Sequence, residues 1–232
     1  FCPEQAGRGV KVESYSCPLP GGAAASEYAL AFDQGRQHRV LIAPALFDEG
    51  HKLRRFTVEV MRRLDGAGID TFLPDLPGCN ESRQDLALIE PEDWRMALDA
   101  AARHFGATRV LAIRGGGLVL PDRLGGWHYA PVKGASLIRT MLRARILSSR
   151  EAGREESVDT LMEQGLQLGL ELAGFSLSGE MLRQMNALVP GQKVGIGALE
   201  HELLGGGPLW LRAEPDEDPA QADALAAVVA LG

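Results

Sequence analysis

Arg109-Val-Leu-Ala-Ile-Arg-Gly-Gly-Gly117 decides how this chain is read. The apolar run Val110 to Ile113 suits a strand buried on both faces of a parallel sheet. Three glycines directly after it mark a sharp turn where backbones approach closely. At the bend stands Arg114. Its side chain stays charged under all relevant conditions and cannot act as a nucleophile.

Working outward, strands alternate with amphipathic helices. Val10 to Ser16 alternates polar and apolar residues, Gly21-Gly22 turns, and Tyr28 to Phe32 reads as a second strand, so the chain opens with a β-meander. His38 to Pro44 is a short buried strand. Lys52 to Gly66 is helical, with Leu53, Phe56, Val60 and Leu64 on one face and Gly66 and Gly68 ending it. Asp70 to Asp75 is the next strand. Pro91 to Phe105 is a helix that opens with Pro91 and has Glu90, Glu92 and Asp93 near its positive end. Such alternation implies βαβ units and a mostly parallel sheet covered on both faces. Downstream, Trp127 to Pro131 reads as a strand. Ser136 to Ser148, Val158 to Leu168 and Gly179 to Leu188 read as helices. Lys193 to Ala198 and Pro208 to Ala213 read as the last two strands, and Ala220 to Leu231 as a closing helix.

Composition narrows the function classes. The chain has 232 residues, 45% of them hydrophobic, and a formal net charge of -7. That charge argues against broad nucleic-acid binding, which needs a cationic surface to displace counterions. No apolar run is long enough to span a bilayer. Cys2, Cys17 and Cys79 follow no metal spacing and form no disulfide framework. They read as reduced thiols of a cytoplasmic protein, and no signal peptide is read at the start. No nucleotide loop is present, because Gly115-Gly-Gly117 lacks the Gly-x-Gly-x-x-Gly pattern and the lysine-serine ending of a P-loop. No cofactor and no metal are expected.

The bend resembles the Gly-x-Ser-x-Gly nucleophile elbow of α/β-hydrolases. Ala112-Ile-Arg-Gly-Gly116 then puts Arg114 where the nucleophile stands, and a one-residue shift puts Gly115 there. Asp75-Leu-Pro-Gly-Cys-Asn-Glu-Ser82 resembles the Asp-x-x-Gly-x-Gly-x-Ser loop of the same superfamily, with Asn80 for the second glycine. The wider pattern is similar to the exosortase A system-associated hydrolases of the second type. It runs through Arg39-Val-Leu-Ile-Ala-Pro-Ala-Leu-Phe47, Glu49, His51-Lys52 and Arg54-Arg55. It continues through Asp75-Leu-Pro-Gly78, Trp94, Gly174-Phe-Ser-Leu-Ser178 and Pro208-Leu-Trp-Leu-Arg-Ala-Glu214, covering roughly residues 35 to 220. The resemblance implies an α/β-hydrolase-like three-layer sandwich, a single domain over 1–232 with a small helical cap at about 133–190. It implies a setting in bacterial exopolysaccharide and protein-sorting gene clusters, and an arginine at the elbow as a family trait. The helix expected after the elbow is much reduced here.

A standard triad runs nucleophile, acid, histidine along the chain. Here Arg114 holds the first position. Glu200 and Glu202 follow the penultimate strand, where the acid belongs. The loop Glu214 to Asp218 has no histidine, and His201 comes too early. Catalytic candidates are therefore Glu49, His51, Glu200 and His201. Glu49 and His51, with Asp48, open a helix beside the cleft, where they do acid–base work or serve as caps. Arg114 either clamps a ligand's carboxylate or phosphate or pairs internally with Asp48, Glu49 or Asp75. Gly115, Gly116 and the amides of Leu46 and Phe47, at the usual oxyanion position, complete the expected ligand site. His51, His128 and His201 show no metal spacing.

The basic residues Lys133, Arg139, Arg143, Arg145 and Arg150 belong either to a partner- or membrane-facing helix or to a cap helix over the cleft. Three functions remain open. The first is a divergent member that binds or hydrolyses an anionic acyl or saccharide-linked small molecule beside Arg114. The second is a non-catalytic binding or scaffold protein, a pseudoenzyme. The third is a serine hydrolase displaced to Ser82 or Ser136. A homodimer is left open, and neither nucleic acid nor a membrane span is expected.

Overall fold

The computed structural model describes residues 9–191 and 194–232. Cys2 and Lys193, both used in the reading above, lie outside them. The first described elements are strands β1 (Lys11–Pro18) and β2 (Ala24–Phe32), paired antiparallel as the meander predicted. There follow β3 (Arg39–Ala43), α1 (Asp48–Gly66), β4 (Asp70–Pro74), α2 (Pro91–His104), β5 (Arg109–Ile113) and β6 (Gly126–Tyr129). Next come α3 (Gly134–Glu151), α4 (Val158–Leu168), the hairpin β7 (Leu170–Leu172) and β8 (Phe175–Leu177), and α5 (Gly179–Ala187). The chain closes with β9 (Ile196–Leu199) and α6 (Pro219–Leu231).

Seven strands form one sheet in the order β1-β2-β4-β3-β5-β6-β9. β1, β2 and β4 pair antiparallel, and everything from β4 through β3, β5 and β6 to β9 is parallel. The crossing connections place helices on both faces. α1 and α6 pack together against Val40, Ile42, Leu111 and Ile113 on one face. α2 and the α3–α5 segment cover Leu41, Ala43, Val110 and Ala112 on the other. This is a mostly parallel, α/β-hydrolase-like three-layer sandwich, with β5 in the interior of the sheet. Residues 40–43 and 110–113 read as continuous apolar runs because their side chains meet helices on both sides.

The helix faces fall as the periodicity predicts. Leu53, Phe56, Val60 and Leu64 are buried on α1, and Ala67 and Gly68 close it by bonding back to Arg63 and Asp65. On α2, Glu90 and Asp93 form a capping box, and Trp94 is fully buried with its indole N–H donating to the Pro77 carbonyl at 2.9 Å.

One expectation is corrected. Pro208 to Ala213 is not a strand. It forms one 3-10 turn over Leu209–Leu211, so β9 is the last strand of the sheet. The reason is packing. Leu209 and Trp210 are neighbours in sequence, yet both pack against the same core cluster beside α1 and α6, with Trp210 also over Arg114, whereas in an extended strand they would point to opposite faces. The segment Gly174-Phe-Ser-Leu-Ser178, read only as a family match, contains β8, which pairs with β7 through a turn at Ala173 and Gly174.

Candidate functional site

In open α/β sheets ligands bind at the carboxyl ends of the strands. Backbone strain in this molecule gathers at that edge. Five non-glycine residues among those described take a positive φ: Phe47, Asn80, Arg114, Ala130 and Ala173. The first four lie in the segments that follow β3, β4, β5 and β6. Each such residue costs roughly 1–3 kcal/mol and persists only where surrounding contacts hold it.

Arg114, at φ 51°, is held by three kinds of contact. Its Nε donates to Glu49 Oε2 at 2.9 Å and its Nη2 to Glu49 Oε1 at 2.7 Å, a bidentate fork. Its Nη1 donates to the Ala130 carbonyl at 3.1 Å. Its guanidinium lies 4.0 Å from the centre of the Trp210 ring. Both partners are buried, with side chains 10% and 11% exposed. Of the three internal partners weighed from the sequence, Glu49 is the one the fold supplies. It sits in the first turn of α1, where the helix dipole also favours a carboxylate.

The three glycines are explained by close approach. A Cβ on Gly116 would overlap the carbonyls of Ala43 and Pro44. One on Gly115 would press on Leu137 and Leu46, and one on Gly117 would overlap the His128 ring. The elbow thus lies against the end of β3, against α3 and against β6. The turn after it is a short 3-10 stretch, Arg114–Leu118, in place of a long helix.

His128 is buried on β6 and its Nε2 lies 2.7 Å from the Arg114 carbonyl. A carbonyl only accepts, so Nε2 carries the proton. Burial pushes its pKa below the usual histidine value, and the nearby Arg114 charge lowers it further. His201, after β9, is engaged at both ring nitrogens. Its Nε2 is 3.3 Å from the Gly206 carbonyl and its Nδ1 is 2.8 Å from the Tyr129 hydroxyl. Burial pushes that hydroxyl up to about 12, so it stays protonated and donates to Nδ1. His201 also meets Trp210 edge-on, with ring centres 4.9 Å apart. Glu200 is exposed at the start of the same turn.

The structure therefore brings Glu49, Arg114, Trp210, His201 and Tyr129 into one cluster. His51 lies apart from it. Its exposed imidazole stacks on Phe175 of β8, with centres 5.4 Å apart, and Phe47 meets the same ring edge-on at 5.7 Å. Leu46, Phe47, His51, Arg54, Asn80 and Phe175 line a narrow cleft of about 30 Å³, room for one or two waters. On its far wall Arg54 and Asn80 both donate to Asp75, at 3.1 and 2.9 Å.

Neither candidate serine has a histidine in hydrogen-bond contact among the described residues. Ser82 donates to Glu27 at 2.9 Å and accepts the amides of Gly78 and Gln84, which fastens its loop. Ser136 lies exposed near the start of α3. Among the described residues no group of three histidine, cysteine or carboxylate side chains is placed to hold a metal ion. Sequence reasoning missed three members of the elbow's surroundings: Trp210, the Ala130 carbonyl and the His128–Arg114 bond. Only the Pro208-Leu-Trp-Leu211 stretch gave a signal, and it reads equally well as a strand.

No family model matches the chain, and no curated protein does. Solved structures resemble it in outline. DcsB in complex with its substrate analogue is 14% identical over 64% of this chain, with a TM-score of 0.43, and the match spans 57% of that protein. The alpha/beta hydrolase GrgF from Penicillium sp. sh18 is 13% identical over 77% of this chain and 74% of its own, at 0.47. A hypothetical protein from Pseudomonas aeruginosa is 9% identical over 82% and 77%, at 0.49. With scores below 0.5, the strand order and not the likeness is the ground for the fold.

Proposed function

We propose that this chain is a non-catalytic binding protein on a hydrolase-like frame. The observation that carries this reading is the bidentate Arg114–Glu49 pair at the bend after β5. An elbow hydrolase needs a hydroxyl or thiol there, with a histidine free to take its proton. Here the position holds a guanidinium already satisfied by a carboxylate, a carbonyl and an aromatic face. The nearest histidines have their protons fixed by carbonyl acceptors.

The ligand class we assign is an anionic acyl or saccharide-linked small molecule. Its seat is the cleft bounded by Leu46, Phe47, His51 and Arg54, which Arg114, Gly115 and Gly116 do not line. At its present size the cleft admits such a ligand only if Phe175 lifts from Phe47 and His51. The sequence resemblance to exosortase A system-associated hydrolases supports a saccharide-linked ligand and a bacterial setting, and cysteines without metal spacing or a disulfide framework support a cytoplasmic one.

A fluorophosphonate probe tests the reading, because it labels any activated serine. The expected result is no labelling of the folded chain and no hydrolysis of short-chain nitrophenyl esters. Stoichiometric labelling of Ser82, Ser136 or another serine would overturn it in favour of a displaced active site.

A further inference from the structure

Two helices treat their arginines in opposite ways. On α1 every arginine forms an ion pair: Arg54 with Asp75, Arg55 with Glu217, and Arg62 and Arg63 with Glu59. On α3 the pattern reverses. Five basic side chains, Lys133, Arg139, Arg143, Arg145 and Arg150, stand there against a single acid, Glu151 in the last position of the helix. Arg145 turns aside to Glu156. Among the described residues the other four form no ion pair.

The inward face of α3 is taken by Leu137, Ile138, Met141 and Leu142, all buried. Its outward face presents Arg139, Arg143, Leu147 and Arg150 at successive spacings of 4, 4 and 3, one continuous stripe. Leu147 stands 60% exposed in the middle of it.

This charge pattern works against the helix itself. Like charges at i and i+4, such as Arg139 and Arg143, repel. The first turn carries no acid to meet the positive end of the dipole, and Lys133 stands at its cap. On a chain with net charge -7, three unpaired arginines aligned along about 17 Å of helix, with Lys133 at its cap, form a local reversal of sign.

We propose that the outward face of α3 docks on an anionic lipid leaflet. A flat surface of negative headgroups meets a straight stripe of cations along its whole length, while the acidic body stays behind it. Clustered basic residues on a helix gain from the surface potential of such a leaflet. An exposed leucine between two arginines enters the acyl boundary while the guanidiniums reach the headgroups. A nucleic-acid partner fits less well. The stripe carries no aromatic residue for base stacking, and a long polyanion would also meet the acidic body.

The test is flotation of the full chain with vesicles of phosphatidylcholine alone and with phosphatidylserine added. Binding is expected only with phosphatidylserine and should fall as salt rises. Arg139→Gln/Arg143→Gln/Arg150→Gln should weaken it about a hundredfold, close to fivefold per arginine. Leu147→Ser should weaken it by a smaller factor. All these positions are exposed, so thermal melts should match the parent and show that the fold survives. Equal flotation with both vesicle types, or binding unchanged in the triple variant, overturns the proposal. Binding of soluble dextran sulfate that depends on the same arginines, with no vesicle binding, overturns it as well and makes the partner a soluble polyanion.

Discussion

The two ends of the sheet each carry a buried arginine–carboxylate arrangement, and they are built differently. At the amino ends of β3 and β4, Asp70 is fully buried and accepts four bonds. They come from the amides of Gln34 and Arg36 and from the guanidiniums of Arg36 and Arg39, at 2.8 to 3.1 Å. Each arginine has a second acid, Asp65 for Arg36 and Asp33 for Arg39. At the carboxyl end, Arg114 has Glu49 alone, and its backbone is strained. The lower network is redundant and ties loops together. The upper pair is a single lock at the bend after β5. Redundancy makes damage graded; a single buried partner makes it abrupt.

The sharpest way to break this contrast is to remove one side of the lock. Glu49→Ala leaves a buried guanidinium with only a carbonyl and an indole face. The expected loss is about 3–5 kcal/mol in urea unfolding. A loss below 1 kcal/mol would mean the pair is as dispensable as a surface bridge. Asp70→Asn should cost less, about 2–3 kcal/mol, because Arg36 and Arg39 keep Asp65 and Asp33. If Asp70→Asn proved the more damaging of the two, the redundancy argument would fail. Gly117→Ala forces the new methyl against the His128 ring and strains the His128–Arg114 bond. About 1–3 kcal/mol is expected, read as a lower melting temperature.

Acidification should separate the two ends without mutation. His128 has a depressed pKa in the folded state, caused first by burial. The unfolded chain then binds the extra proton first, so stability falls as pH drops below about 6.5 and levels off below the folded pKa. Asp33 is held down at about 2, first by its bond from Arg39. Its contribution is present above about 3.9 and is lost as pH falls from there towards 2. His128→Gln should flatten the upper step of a stability–pH curve and Asp33→Asn the lower one. Steps insensitive to both substitutions would place the titrating groups elsewhere.

Much of the frame was legible because it rests on periodicity. The runs 40–43 and 110–113 are apolar at every position, and the apolar stripe of α1 recurs at helical spacing, so buried strand and amphipathic helix each left their own pattern. The sharp turn was legible from three adjacent glycines, while the sequence left Arg114 between a ligand clamp and an internal pair with Asp48, Glu49 or Asp75, a choice among distant carboxylates that only the fold makes. What sequence could not give was long-range. Trp210 reaches Arg114 across 96 positions, and its segment has the composition of a strand while its packing demands a turn. The Ala130 carbonyl leaves no trace in side-chain chemistry at all. β7 and β8 are three residues each, too short for alternation to show.

The central claim is that Arg114 and Glu49 form one structural unit at the elbow. A double-mutant cycle in urea tests it most directly, with Arg114→Met, Glu49→Leu and the two combined. The expected result is a large loss for Glu49→Leu, which strands the guanidinium, and a double variant that regains most of that stability, for a coupling of about 3 kcal/mol or more. Additive losses, with no recovery in the double variant, would contradict the account and free Arg114 for a ligand.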